Sequence, residues 1–132
     1  MRWGLRAEAC VLAVLTRAAL RVLPVPRVAW LLGSLPRTRR PRGSTDRVNA
    51  CLAAAGFGAA LAAHPTCLFR SLVAFALLTR RHHDALLQLG ASRTGGFAAH
   101  AWVSIGQTVL DGPSPAEHTA LWRYRAHTAA RA

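Results

Sequence analysis

The first third of the chain carries apolar residues at helical spacing. Between residues 5 and 23 this spacing predicts an amphipathic helix whose apolar face is formed by Leu5, Leu12, Leu15, Ala19 and Val22. Pro24 and Pro26 lack the backbone N–H that a helix interior needs, so the helix should end before them. A short second helix around Trp30 is expected at about 27–34.

A third helical region is predicted after a basic segment. Residues 36–43, PRTRRPRG, offer no core residue and are expected to be a linker. Ser44 is a good N-cap, and Asp46 lies in the first turn, where the helix dipole favours a negative charge. The sequence therefore predicts a helix from Ser44 to about Ala63.

The next helix is predicted to lie inside the domain. His64-Pro65-Thr66 breaks the chain, and Thr66 can cap a new helix that begins at Cys67. The sequence of this helix, CLFRSLVAFALLTRR, is apolar on nearly every side until its end. Such a pattern is typical of a buried helix.

Beyond residue 81 the periodicity becomes that of strands. Residues 85–89 are a candidate strand, 90–96 are rich in turn residues, and 97–105 alternate between two faces. A second strand is expected at 107–111 and a final helix at 116–127. Helices followed by a small antiparallel sheet indicate an α+β fold.

The length of 132 residues suits one domain with a modest core. Within a single domain at 1–132 we expect N-terminal helices at 1–35, the basic linker, a core segment at 44–112 and a C-terminal helix or tail at 113–132.

Charge changes this picture little. The chain has 17 basic residues against 5 acids, for a formal charge of +12, and every basic residue is Arg. The simplest explanation of arginine without lysine, in an alanine-rich chain, is a GC-rich coding sequence. Positive charge alone is therefore weak support for an anionic partner such as an acidic peptide, nucleic acid or lipid surface.

The three cysteines, Cys10, Cys51 and Cys67, are widely spaced and form no CxxC pair, which argues against a zinc knuckle. An odd number without a pairing pattern favours free thiols in a reducing compartment. No apolar run reaches the roughly 20 residues that span a membrane. We expect a cytoplasmic protein that has at most weak membrane contact and binds no metal.

Cys67 is the best candidate nucleophile. A helix N-terminus presents unpaired N–H groups and positive potential, and both favour a thiolate. The same N–H groups can stabilise an oxyanion that forms when the thiolate attacks a carbonyl. Cys10 and Cys51 lie inside predicted helices and are interpreted as small core residues.

His100 is the candidate base, on one strand face with Trp102 and Ser104. If Ile105-Gly106 is a two-residue turn, Ser104 faces Gln107 and His100 faces Asp111. Asp111 would then hold one imidazole nitrogen and leave the other for the thiol. Two interpretations of Trp102 stay open, a packed core residue and a substrate-binding residue that walls the site against solvent, and His64 is a minor rival as base.

Two segments carry a family resemblance. PTCLFRSLVAFALLTRR followed by FAAHAWVSIGQTVLDG resembles the lasso peptide leader peptidase family of microcin-processing proteins, whose fold is transglutaminase/papain-like. The resemblance implies a cysteine protease with Cys67 as nucleophile, His100 as general base and acid, and Asp111 as the orienting acid. The chain departs from the family pattern at Ser104, where a Glu is usual, and at Ile105, where a polar turn residue is usual.

The resemblance also implies a biological setting. Proteins of this family remove the leader from a ribosomally made precursor peptide, and a separate ATP-dependent lasso cyclase then closes the ring. The chain resembles the stand-alone protease half, with a separate small leader-recognition protein as partner. No cofactor and no nucleic acid are expected.

Two alternatives remain open from the sequence. The first keeps the fold but transfers the acyl group to an amine, as transglutaminases do. The second is a non-enzymatic, Arg-rich module that binds an anionic partner with steep salt dependence.

Overall fold

The computed structural model describes residues 2–36, 49–56, 67–81, 83–92, 99–105, 108–109 and 118–125. Its helices are α1 (Arg2–Val22), α2 (Val25–Gly33), α3 (residues 49–56) and α4 (Cys67–Arg80). Its strands are β1 (Ala85–Ser92), β2 (Ala99–Ile105), β3 (Thr108–Val109) and β4 (His118–Arg125). The expected α+β architecture is confirmed. The proposed linker at 36–43 and the N-cap at Ser44 lie almost wholly outside the described residues.

Helix α4 is the centre of the fold, as its apolar sequence predicts. On one side it packs against α1 and α2, and on the other it packs against β1 and β2. Every side chain from Ser71 to Thr79 is buried. Because α4 has neighbours on both sides, an amphipathic pattern would have left polar groups in the core, and the sequence avoids this.

Helix α1 is amphipathic, and its predicted apolar face is partly confirmed. Leu12 is buried, and Leu5 and Ala19 are partly buried against the core, whereas Leu15 and Val22 are exposed. The buried face also carries Ala9, Ala13 and Thr16, which the prediction did not include. The spacing of the larger aliphatic side chains does not identify these smaller residues as core positions.

The sheet is antiparallel with strand order β3-β2-β1-β4. Its face towards α4 includes Leu87 and Val103, which pair across β1 and β2 and belong to the main buried cluster. Strand β1 extends to Ser92, so three residues expected in a turn-rich segment continue the ladder. Gly90 and Ala91 pair with both β2 and β4, and Ser92 pairs with β4. This pairing outweighs the weak strand propensity of Gly90.

The predicted C-terminal helix is wrong, because residues 118–125 form strand β4 beside β1. The segment alternates, and Trp122 and Tyr124 turn towards the core while Arg123 and Arg125 are exposed. The Tyr124 ring meets the Phe75 ring of α4 edge-on, with centroids 5.8 Å apart. This aromatic alternation is the strand signal that the flanking alanines obscured.

A β-bulge interrupts the β1–β4 ladder. Leu89 pairs with Trp122, whereas the next residue, Gly90, pairs with Ala120, so Leu121 has no opposite partner. Leu121 is 70% exposed, on the same outward side of β4 as Arg123 and Arg125.

The chain reverses direction sharply after α4. The His83 N–H donates to the Leu78 carbonyl at 3.0 Å, the long-range bond of a Schellman-type helix end. This reversal folds His83 inward, to 8% exposure. His83 is therefore buried, although it lies just after the end of α4. The neighbouring His82 lies outside the described residues.

A charged clamp ties the start of α1 to the end of α4. The Arg81 guanidinium donates to both Glu8 carboxylate oxygens, at 2.6 Å and 2.9 Å, and Arg80 also pairs with Glu8. The Arg80 Nε donates to the Pro36 carbonyl at 2.8 Å. The helix dipole stabilises cations at a helix C-terminus, so arginines are favoured at the end of α4. Glu8 pairs with the two arginines that lie there.

The Glu8 carboxyl has a lowered pKa. Burial acts to raise this pKa, but the hydrogen bonds from Arg81 and the charges of both arginines outweigh burial.

Within the described residues, no helix is long and apolar enough to cross a membrane.

We predict that Glu8→Gln lowers the free energy of unfolding by about 1–3 kcal/mol, because it leaves two partly buried guanidinium groups without their carboxylate. Urea unfolding followed by circular dichroism measures this loss. Asp84→Asn is the matched control: its pair with Arg125 is exposed and should be worth under about 1 kcal/mol. Equal losses in the two variants would contradict the clamp.

The clamp should also be lost in acid. A carboxyl whose pKa is lowered by folding stabilises the protein fully above its unfolded pKa, near 4.5, and loses this contribution as the pH falls through the folded value. The stability gap between wild type and Glu8→Gln should therefore be constant near neutral pH and shrink below about pH 4.5. Urea midpoints measured from pH 7 to pH 3 test this, and a gap that widens in acid would refute it.

Candidate active site

Cys67 is the first residue of α4, as the sequence predicts. The opening residues of a helix have backbone N–H groups with no partner inside the helix. These donors and the helix dipole create positive potential at this end of α4. The backbone thus supplies at residue 67 a setting that favours a thiolate and an oxyanion.

The rise per residue places Cys67 and His100 at similar levels along the helix–sheet layer, although strand alternation puts His100 on the sheet face opposite to the one that packs against α4. Four residues separate Arg80 from Ala85, and β1 packs against α4, so β1 runs back along the helix. From Arg80 back to Cys67 the helix rises about 20 Å. From Ala85 to Gly90, β1 advances about 17 Å, and Gly90 pairs with His100.

The Phe75–Tyr124 contact supplies a second reference level for the same comparison. Tyr124 pairs with Leu87, which also pairs with Val103 on β2. From Phe75 to Cys67 the helix rises about 12 Å. From Val103 to His100, β2 covers about 10 Å. Phe75 and Val103 lie at a similar level. Because β1 runs back along α4, the path from Phe75 to Cys67 and the path from Val103 to His100 lead towards the same end of the layer.

His100 is half-buried on β2, opposite a glycine. Gly90, its partner on β1, is buried and has no side chain to fill the space beside the imidazole. Strand alternation puts His100 on one face with Trp102 and Ser104, while Val103 faces the α4 core. Trp102 and Ser104 are both buried, so the face that carries His100 is also covered at these positions.

A polar contact lies on the same face as His100. The Gln88 side-chain amide donates to the Ser104 hydroxyl at 3.1 Å, and Gln88 pairs across the ladder with Trp102. Ser104 occupies the position where the resembled family has Glu, and Gln88 supplies its hydrogen-bond partner. Sequence reasoning missed Gln88, although a single polar residue within the apolar run ALLQL was a visible signal.

The expected hairpin register is wrong. Ser104 pairs with Val109 instead of Gln107, and Ile105 pairs with Thr108 inside the ladder. A β-branched residue favours a strand over a turn, which explains why Ile105 is not part of the turn. The proposed opposition of His100 and Asp111 depended on the other register and loses that support. Asp111 itself lies outside the described residues.

The other candidate groups are placed as follows. Cys51 is buried on α3, as expected, whereas Cys10 is only half-buried on α1. His64 lies outside the described residues. Within the described part of the chain, no three His, Cys, Asp or Glu residues come together as metal ligands would.

Comparison with known protein families finds a match over most of the chain. Residues 10–123 match the family model described as Transglutaminase-like superfamily. The chain belongs to this superfamily. No curated protein and no solved structure matches the chain significantly.

Membership gives the chain a chemical class. The superfamily includes cysteine peptidases and acyltransferases, and its members are generally enzymes. Both activities begin with attack of a thiolate on a carbonyl and differ in what accepts the acyl group.

We predict that Cys67 is the most reactive of the three thiols towards iodoacetamide at neutral pH, because the unpaired N–H groups at the start of α4 favour the thiolate. Cys51, which is 1% exposed, should react only on unfolding. Peptide mass spectrometry after timed alkylation measures the rates. A Cys67 rate that rises only above about pH 8 would contradict a stabilised thiolate.

Proposed function

We propose that the chain is a cysteine peptidase that removes the leader from a ribosomally synthesised lasso-peptide precursor. The observation that carries the peptidase assignment is the position of Cys67 as the first residue of α4, where unpaired N–H groups favour a thiolate and an oxyanion. His100 enters the proposal through the family resemblance. Superfamily membership supports thiol chemistry in this chain. The CLFRSLVAFALLTRR and AHAWVSIGQTVLDG motifs support the narrower substrate class.

In the proposed reaction, His100 takes the proton of the Cys67 thiol, and the resulting thiolate attacks the carbonyl at the junction of leader and core. His100 then gives this proton to the leaving amine of the core peptide. N–H groups at the start of α4 stabilise the oxyanion. Water then hydrolyses the thioester, which releases the leader and the free thiol.

Asp111 is proposed to hold the imidazole in the tautomer that leaves one nitrogen free for the thiol. This role now depends on the family resemblance alone. Trp102, buried beside His100 on the same strand face, is proposed to shield the site from water, and the Gln88–Ser104 contact supports its strand.

The proposed setting includes other proteins. The leader of the precursor is the substrate segment, a separate small protein recognises it, and a lasso cyclase consumes the freed core peptide. Neither a cofactor nor a nucleic acid takes part in this scheme, which acts in the cytoplasm.

We predict that Cys67→Ala and His100→Ala each lower precursor cleavage by at least about a thousandfold, since each removes a partner of the nucleophile–base pair. The assay mixes the protein, its recognition partner and the precursor, and follows the mass. Cys10→Ala is the matched control, because Cys10 lies within α1, and it should cleave normally. Wild-type cleavage by Cys67→Ala would overturn the proposal.

Acyl transfer is the second candidate, because the superfamily contains acyltransferases as well as peptidases. With glycine ethyl ester added to the cleavage mixture, the peptidase mechanism predicts a leader ending in a free carboxylate. Water is in large molar excess over the amine. A leader that nevertheless gains the mass of the amine would identify a transferase.

A further inference from the structure

Helix α1 has a second apolar face, opposite its core face. We call it the outer stripe: Gly4, Ala7, Val11, Val14, Ala18 and Val22. All six residues are exposed, with Val14 at 62% and Val22 at 78%. A Cβ placed on Gly4 would meet nothing within 4 Å, so the stripe is open at its first residue as well. The outward face of a surface helix is ordinarily polar.

The spacing of the outer stripe favours a helical partner. From Gly4 to Ala18 its members alternate steps of three and four residues, the seam of a coiled coil. Valine side chains are stiff, and the small residues at positions 4, 7 and 18 permit close approach of a second backbone. Helices that lie on membranes use wide faces built from Trp, Phe and Leu, whereas the outer stripe consists of Val, Ala and Gly and is adjoined by one exposed leucine, Leu15.

Charge indicates which helix would fit. Arg17 and Arg21 are exposed along one flank of the outer stripe. The acids among the described residues are Glu8 and Asp84, and both already pair with arginines. A second copy of this +12 chain would bring arginines against arginines. A partner with acidic residues beside its apolar seam would meet opposite charge.

We propose that the outer stripe docks an amphipathic helix of another protein whose flanking residues are acidic. The apolar seam of that helix packs on Val11 and Val14, and its carboxylates lie beside Arg21. This surface is formed by α1 alone, so the docking does not depend on Cys67 chemistry and stands or falls separately from the peptidase proposal.

The test uses two fluorescein-labelled 21-residue helical peptides with the same Leu/Ala seam, one flanked by Glu and the other by Lys. Fluorescence anisotropy should show binding of the Glu peptide that weakens with salt and at least tenfold weaker binding of the Lys peptide. Val11→Gln/Val14→Gln should weaken the Glu peptide at least tenfold. Leu121→Gln, an exposed leucine on β4, is the matched control and should bind normally.

Arg21→Glu adds a charge arm, since it should reverse the preference between the two peptides. Circular dichroism of each variant checks that the fold is retained. Failure of the Glu peptide to bind, equal binding of both peptides, or equal loss in the Leu121→Gln control would overturn the proposal.

Other occupants of the outer stripe have their own readouts. A dimer in sedimentation velocity that Val11→Gln/Val14→Gln dissolves would assign the stripe to a second copy instead. Binding to vesicles of phosphatidylglycerol and phosphatidylcholine, without binding of the Glu peptide, would assign it to lipid.

Discussion

The burial of α4 on both sides is the constraint on which the rest of the structure depends. Phe69 and the side chains from Ser71 to Thr79 fill the space between the α1–α2 pair and the sheet. Apolar surface on opposite sides of one helix can be removed from water only if a layer covers each side, so the sequence of α4 demands a three-layer arrangement. The same packing fixes the position of residue 67, since the helix that begins there cannot slide without opening the core.

Polar interactions then secure the far end of this central helix. The Glu8 clamp joins α1 to the last turn of α4, and the inward-folded His83 leads the chain directly into β1. Where α4 ends thereby decides where β1 starts. Strand β1 in turn pairs with both β2 and β4, so the placement of His100 derives from the C-terminal end of α4 through one short connection.

The sequence allowed the helices and the position of Cys67 to be predicted, because long apolar runs and a His-Pro-Thr break are strong local signals. It failed where tertiary partners decide. The strand nature of residues 118–125 depends on pairing with β1, and Ala-rich flanks favoured helix there. The predicted partner of Ser104 was wrong by two residues, since a hairpin register depends on the ladder as a whole. Small core residues such as Ala9 and Ala13 were missed because only their packing against α4 distinguishes them from surface alanines.

The short connection between α4 and β1 limits how this fold can change over generations. Substitutions along either element alter packing locally. A one-residue insertion within α4 would rotate its first residue by about 100° about the helix axis. An insertion or deletion in β1 would exchange the two faces of the strand beyond that point and so change which side of the sheet lies beside His100. Chain length between Cys67 and Gly90 should therefore vary far less among relatives than residue identity does, while the segments around this stretch are freer to lengthen.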